Sequence, residues 1–315
     1  MGLRGVIGFI FSLLFFILVV VLLIVYWFFP FSGYGLRSQG LYRPEINQNF
    51  TFDGSDKNNM QFYPNMRYPT KRISYNINDC TLQKEEEMTR AFEIVENLTV
   101  LDFYPTIKDE EITVTCSSKA RSDEENKGFF IAGEGGPTNI TVSGNFNVIT
   151  HGKVILLRKS NCPNPNVGIH ELFHALGFDH SNNPSNIMYS ISKCDQTIGE
   201  DTIELINNIY SIPSNPDLTL ENVSAFLRGR YLNLNMTIRN QGLKVSKNTV
   251  FKIYTDDKLL KESDVPILGV GTGVSISLKN ILISRLSLKK IEIVIESDFE
   301  ELSKENNNIV LELKK

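Results

Sequence analysis

The stretch His170-Glu171-Leu172-Phe173-His174-Ala175-Leu176-Gly177-Phe178-Asp179-His180 constrains this chain more than any other. Two histidines four residues apart lie one turn apart on one face of a helix, so both imidazoles can reach one metal ion. Gly177 marks where the chain must leave that helix, because glycine most easily adopts the left-handed conformation of a helix end. The turn brings His180 back as a third nitrogen donor. Neutral imidazoles suit Zn²⁺, and a catalytic zinc takes three protein ligands and keeps a fourth position open. Glu171 would face that open side, where a carboxylate can take a proton from an attacking water. The alternative is a helix that merely carries surface histidines. Three of the chain's 4 histidines fall in this one stretch, which argues against it.

The extended pattern resembles the zinc signature of the metzincin metallopeptidases. That family also has a methionine turn beneath the metal, and Asn186-Ile187-Met188-Tyr189-Ser190 is similar to it, with Met188 as its methionine. Ser181 after His180 and Tyr189 after Met188 are most like the matrixin branch. The resemblance covers roughly residues 70–212. It implies a mixed twisted sheet with three helices, and one catalytic Zn²⁺ on His170, His174 and His180. It further implies Glu171 as general base, Met188 packed below the ligands, Tyr189 on the wall beside the zinc, and a protein or peptide substrate. The substrate is expected to pair with an edge strand within residues 130–150. Many matrixins are held latent by a cysteine thiolate, but residues 30–68 contain no cysteine. A second, structural zinc is not expected either, since His151 is the single spare histidine; it reads as structural or solvent-exposed.

Residues 5–29 carry no charge. As a helix they would extend about 37 Å, enough to cross a bilayer with some tilt, and Tyr26 and Trp27 would sit near the outer interface. A cleaved signal peptide is the competing reading, but it calls for a shorter apolar core and an Ala-x-Ala end. Orientation is nearly balanced, with Arg4 before the span and Arg37 and Arg43 after it. Four cysteines and sequons at Asn49, Asn97, Asn139, Asn222 and Asn235 favour the bulk of the chain outside the cytoplasm. Cysteine pairing as Cys80–Cys116 and Cys162–Cys194 keeps each loop within one half of the domain, although four cysteines allow three pairings. The net charge is −4 with no basic run, so nothing points to nucleic acid.

Residues 30–68 read as a stalk without periodicity. Arg72–Asn78 and Glu111–Cys116 alternate as strands, and Glu85–Leu98 has Met88, Ala91, Phe92 and Val95 at helical spacing. Phe129–Ala132, Asn139–Val142 and Val154–Arg158 read as further strands, broken by Gly133-Glu134-Gly135-Gly136-Pro137. That glycine-rich run is either a simple turn or part of a substrate-cleft wall. Asn166 is the expected cap of the histidine helix, and Ile203, Ile206 and Tyr210 fit one face of a helix over Glu200–Tyr210, closed by Pro213.

Past Ser214-Asn215-Pro216 the texture changes to about seven short alternating strands separated by turn signals, as in an immunoglobulin-like β-sandwich. Thr237–Gly242 and Lys304–Asn307 are similar to segments of the cell-adhesion-related CARDB sandwich domain. Its role reads as adhesion to a surface partner or substrate positioning, against a plain spacer, and the tail is expected to be dispensable for cutting short peptides. The expected layout is therefore a cytoplasmic tip at 1–4, a transmembrane anchor at 5–29, a stalk at 30–68, an α+β zinc metallopeptidase at 69–212 and a sandwich at 216–315. The expected function is a membrane-anchored zinc endopeptidase acting on extracytoplasmic proteins. The rivals are a surface adhesion protein with a structural zinc, and a metal-dependent hydrolase of a non-peptide bond.

Overall fold

A computed structural model of the protein describes residues 3–28, 33–36, 60–117, 121–122, 130–158, 162–283 and 288–312. In chain order its elements begin with α1 (Leu3–Phe28), β1 (Gly33–Leu36), β2 (Met66–Arg67), β3 (Arg72–Asn78), α2 (Leu82–Leu98) and β4 (Asp102–Pro105). There follow β5 (Ile112–Cys116), β6 (Arg121–Ser122), β7 (Phe130–Ile131), β8 (Gly133–Ser143), β9 (Phe146–Leu156), α3 (Asn166–Ala175) and α4 (Glu200–Ser211). The remaining strands are β10 (Leu218–Arg228), β11 (Tyr231–Asn240), β12 (Thr249–Thr255), β13 (Lys258–Val265), β14 (Gly273–Leu282), β15 (Lys290–Glu296) and β16 (Asn308–Glu312). The fold is mixed α+β, with a sandwich-like all-β region at the carboxyl end.

The first sheet runs β2-β9-β5-β3-β4, all parallel, and β8 joins it antiparallel on β9. Parallel strands need crossover connections, and α2 supplies the one between β3 and β4. The apolar stripe of α2 behaves as its spacing predicts: Met88, Ala91, Phe92 and Val95 are all buried, in one core with Ile73, Ile112 and Val114 of the sheet and Leu172 and Phe173 of α3. Both expected disulfides are present, Cys80–Cys116 joining the end of β3 to β5, and Cys162–Cys194 bracketing α3 and the methionine turn.

Several expectations change. The run Gly133–Pro137 is no interruption: it is the first half of β8, paired with Pro137↔Gly152 and Gly133↔Leu156 on β9. Asn166 is the first residue of α3, not its cap; the position before it is Pro165, and the Asn166 side-chain amide donates instead to Lys193 O at 2.6 Å. On α4 the buried face is Thr202, Leu205, Ile206 and Ile209, turned one position from the predicted one. Tyr210 lies beside it because its hydroxyl accepts the Tyr68 N–H at 2.9 Å and its ring carries the Arg67 guanidinium at 4.5 Å. Arg67 also donates to Ile209 O at 2.6 Å and Ile212 O at 3.0 Å, which ties the last helix to the first strand of the sheet.

The tail forms two four-stranded sheets, β1-β10-β11-β14 and β13-β12-β15-β16, closed over one core. On β11, Leu232, Leu234, Met236 and Ile238 all point inward, the period of two expected of a half-buried strand. β13 escaped the sequence because it is a charged edge strand with one buried residue, Val265. β1 comes from the segment expected to be an unstructured stalk; it pairs with β10 from Gly33↔Arg228 to Leu36↔Ala225. Residues 37–59 of the stalk, with the Asn49 sequon, lie outside the described residues.

The anchor expectation at 5–29 falls on α1. Side chains are described there for residues 11–23, about 20 Å of helix, and no helix among the described residues is long and apolar enough to cross a membrane.

Candidate metal centre

α3 is buried along its whole length. Its exit makes both backbone hydrogen bonds of a glycine-terminated helix end. Gly177 (φ +95°) donates to His174 O at 2.9 Å, Phe178 donates to Phe173 O at 3.0 Å, and the Phe173 and Phe178 rings pack edge to face at 5.5 Å. A side chain at 177 would also collide with Met66, 2.9 Å away. The exit turns the chain so that His180 faces α3.

The three imidazoles then converge. His174 Nε2 lies 3.0 Å from His170 Nε2 and 3.2 Å from His180 Nε2. At the other ring nitrogens, His170 Nδ1 meets Ile187 O at 2.7 Å and His174 Nδ1 meets Phe178 O at 2.7 Å. A carbonyl only accepts, so both Nδ1 atoms must donate, and a neutral ring then has a bare lone pair at Nε2. Burial and then neighbouring His174 hold His170 down to about 4, and burial lowers His174 as well, so both rings are neutral at pH 7. Lone pairs facing one another at 3.0 Å repel unless a cation sits between them. Zinc–nitrogen bonds of ~2.0–2.1 Å at tetrahedral angles place ligand nitrogens roughly 3.3 Å apart, close to what is seen. The donor set therefore fits a zinc ion, held by His170, His174 and His180. His180 is exposed, which leaves the site open on that side.

The methionine turn does two jobs below this centre. Its Ile187 carbonyl orients His170, and Met188 is buried with its backbone fixed at both ends: Met188 N donates to Asn186 Oδ1 at 2.8 Å and Met188 O accepts from Ser181 N at 2.8 Å. Tyr189 is half-buried and bridges Ser181 through its backbone.

Glu171 is buried beside the ligands at 6% exposure, and burial followed by the Glu134 carboxylate pushes it up to about 8. β8 lies directly on it. A Cβ at Gly133 would stand 2.6 Å from Glu171 Cγ, and one at Gly135 would stand 2.2 Å from the Glu171 carbonyl oxygen. Only glycine lets the strand approach the helix this closely. The signal was in the sequence: glycines at i and i+2 share one face of a strand, whereas a turn has no use for that period.

A second contribution was not legible. Met60, Gln61 and Phe62, at the end of the expected stalk, pair with the loop that carries His180. Phe62 N donates to Gly177 O, Asp179 N donates to Met60 O, both at 3.0 Å, and the Phe62 ring stacks on His174 at 5.7 Å. His151 plays no part in the site; its ring nitrogens meet the Thr113 and Thr138 hydroxyls at 3.0 and 2.6 Å, a structural role as expected.

This geometry meets a comparison that decides the kinship of the segment. Residues 67–211 match the Matrixin family model. The match supports a metallopeptidase kind of function for that part of the chain, in a family that depends on zinc. Residues 215–311 match the CARDB family model, which supports an adhesion-like domain there. Among solved structures, a CARDB domain from Pyrococcus furiosus, in complex with di-metal ions, is 18% identical over 31% of this chain and 87% of that one, at a TM-score of 0.28. At that score the likeness decides nothing about this chain. A search of curated proteins finds no match.

Proposed function

We propose that the chain is a zinc-dependent endopeptidase, with one catalytic ion, anchored in a membrane by residues 5–29 and holding residues 30–315 on the extracytoplasmic side. The reading rests on one observation: three imidazoles converge beside a buried carboxylate, with His174 Nε2 3.0 Å from His170 Nε2 and 3.2 Å from His180 Nε2. A zinc ion there supplies Lewis acidity toward a carbonyl and acidifies water. Glu171 takes a proton from the attacking water onto its carboxylate and passes one to the nitrogen of the leaving amine. Burial and then the Glu134 carboxylate raise its affinity for that proton. Met188 packs beneath the ligands, and Tyr189 lines the wall beside them. An extended peptide is held as a strand added to β8, whose pairing among the described residues is to β9 alone. A structural zinc in an adhesion protein fits less well, since such sites usually have four protein ligands and need no buried base.

The anchor is supported by the uncharged run of 5–29 and by the exposure of Phe11, Phe15 and Phe16 on α1, at 72%, 68% and 66%. The sandwich at 216–315 is proposed to meet a surface partner. Incubating the full chain with a diverse peptide library and mapping the cuts tests the enzyme reading. Cuts that stop with a chelator and return with zinc support it; a folded, zinc-loaded protein that cuts nothing refutes it. Protease added to intact cells should remove the carboxyl-terminal part, and full protection until lysis would reverse the proposed topology.

A further inference from the structure

β8 is a weak strand in the place where the site needs a firm one. Its first half contains Gly133, Gly135, Gly136 and Pro137, and its ladder to β9 slips between Pro137 and Asn139 and again between Asn139 and Ile140. Glycine costs backbone entropy and proline removes a ladder donor, so such a strand does not hold its own position well. This is the half that lies on Glu171.

The far end of the same strand is gripped by the sandwich. Ser143 is buried, and its hydroxyl meets Gly242 O at 2.7 Å and Asn240 O at 3.4 Å. At Gly144 (φ +56°) a Cβ would stand 2.7 Å from Gln241 O. From the other side, a Cβ on Gly271 (φ +70°) would stand 2.5 Å from Val142 O and 2.7 Å from Thr141 Cγ2. Around this contact Phe146 and Val148 of β9 share a small apolar core with Ile212 and Leu243. The gripping loop is itself rigid. Asn240 is fully buried, its Oδ1 accepts from Asp217 N and Gly242 N at 3.1 and 3.0 Å, and its Nδ2 donates to Lys244 O and Leu268 O at 2.7 and 3.1 Å. Gly271 N donates to Asn240 O at 3.0 Å, which joins the two halves of the grip.

We propose that the sandwich is a clamp that sets the position of the substrate-bearing strand, with Ser143 and Gly271 as positioning residues for peptide hydrolysis. This rests on the peptidase reading above, and it gives the expected substrate-positioning role of the sandwich a concrete form. β8 has 11 residues, so at ~3.4 Å per residue the clamp acts about 35 Å along the strand from Glu171.

The test uses the full chain with Gly271→Ala, Ser143→Ala and the control Gly269→Ala. The control lies in the same turn, and its added Cβ would meet only Thr272 side-chain atoms at 3.5 Å. Gly271→Ala and Ser143→Ala should raise KM for peptides long enough to pair along β8 by about tenfold, at parental zinc content, while Gly269→Ala matches the parent. Hydrogen exchange at the amides of 133–136 should quicken in the two variants and stay unchanged in β3 and β5. If Gly271→Ala fails to fold, Ser143→Ala decides, since it adds no atoms. Folded variants with parental KM and parental exchange overturn the clamp. Exchange reads the clamp without cleavage: a loosened β8 in a protein whose parent cuts no peptide refutes the peptidase reading and upholds the clamp, and an unchanged β8 refutes the clamp whatever the enzyme cuts.

Discussion

Gly135→Ala is the sharpest probe of how the strand meets the helix. The new Cβ would stand 2.2 Å from the Glu171 carbonyl oxygen, 2.8 Å from its carbon and 2.9 Å from its Cα. All three are backbone atoms of α3, so no side-chain rotation relieves the contact. An ordinary Cβ contact begins near 3.4 Å, so β8 must lift from α3 by roughly 1 Å, an overpacking that costs about 1–3 kcal/mol of stability. The same lift moves the substrate edge away from Glu171 by about 1 Å, and a misplacement of that size costs on the order of 10²-fold in rate. The neighbour supplies the control, because a Cβ at Gly136 meets nothing within 4 Å. The assay is kcat/KM on a cut peptide, with zinc content and thermal unfolding measured on the same samples. Gly135→Ala should retain zinc and lose about two orders of magnitude, and Gly136→Ala should match the parent. Equal, parental kcat/KM in both variants would mean that the close approach of β8 to Glu171 does not matter to the reaction.

Three further outcomes follow from the site and its supports. On the proposed roles, with Glu171 as base and His174 as ligand, Glu171→Ala should keep its zinc and lose roughly 10²–10⁴-fold in turnover, whereas His174→Ala should lose zinc and activity together; metal analysis beside peptide cleavage separates the two. Replacing Cys162 and Cys194 by serine should lower stability by about 3–4 kcal/mol on chain-entropy grounds, read as a shift in the urea midpoint, and a shift near zero would show that the loop is held by other contacts. Burial, then Glu301, raises the Asp217 carboxyl from 3.8 to about 6. A raised folded pKa means that stability is fully present below pH ~4 and is lost as pH rises through 6, by up to roughly 3 kcal/mol. Unfolding of Asp217→Asn should lack that slope between pH 4 and 6, and an identical slope in both proteins would remove Asp217 as its source.

What the sequence disclosed and what it hid divide along the range of the contacts involved. The stripe Met88, Ala91, Phe92 and Val95, the left-handed exit at Gly177, and the alternation Leu232, Leu234, Met236 and Ile238 are set within a few residues, and each appears as expected. The convergence of the three histidines was legible for the same reason, since His170 and His174 lie one turn apart and His180 follows a single tight exit. The atoms that fix those ligands were not legible. Ile187 O and Phe178 O are backbone carbonyls, which every residue type offers, so no side chain announces them. Met60–Phe62 join the site through main-chain bonds to Gly177 and Asp179, more than a hundred residues away, and carry no pattern of their own.

The glycine-rich run shows why composition alone misled. Glycine signals a turn when its dihedrals matter and a close approach when its missing Cβ matters; composition does not distinguish the two uses, and the i, i+2 spacing does. Gly133 and Gly135 have no positive φ; what they avoid is Glu171. Gly271 has both, a φ of +70° and Val142 O where its Cβ would be. Both ends of β8 are thus defined by absent side chains, one against the helix that carries Glu171 and one against the sandwich. The strand between them has few ways to shift that do not meet backbone at one end or the other. On the clamp proposal, β8 owes its place to both domains at once, so deleting either should change how the other end lies.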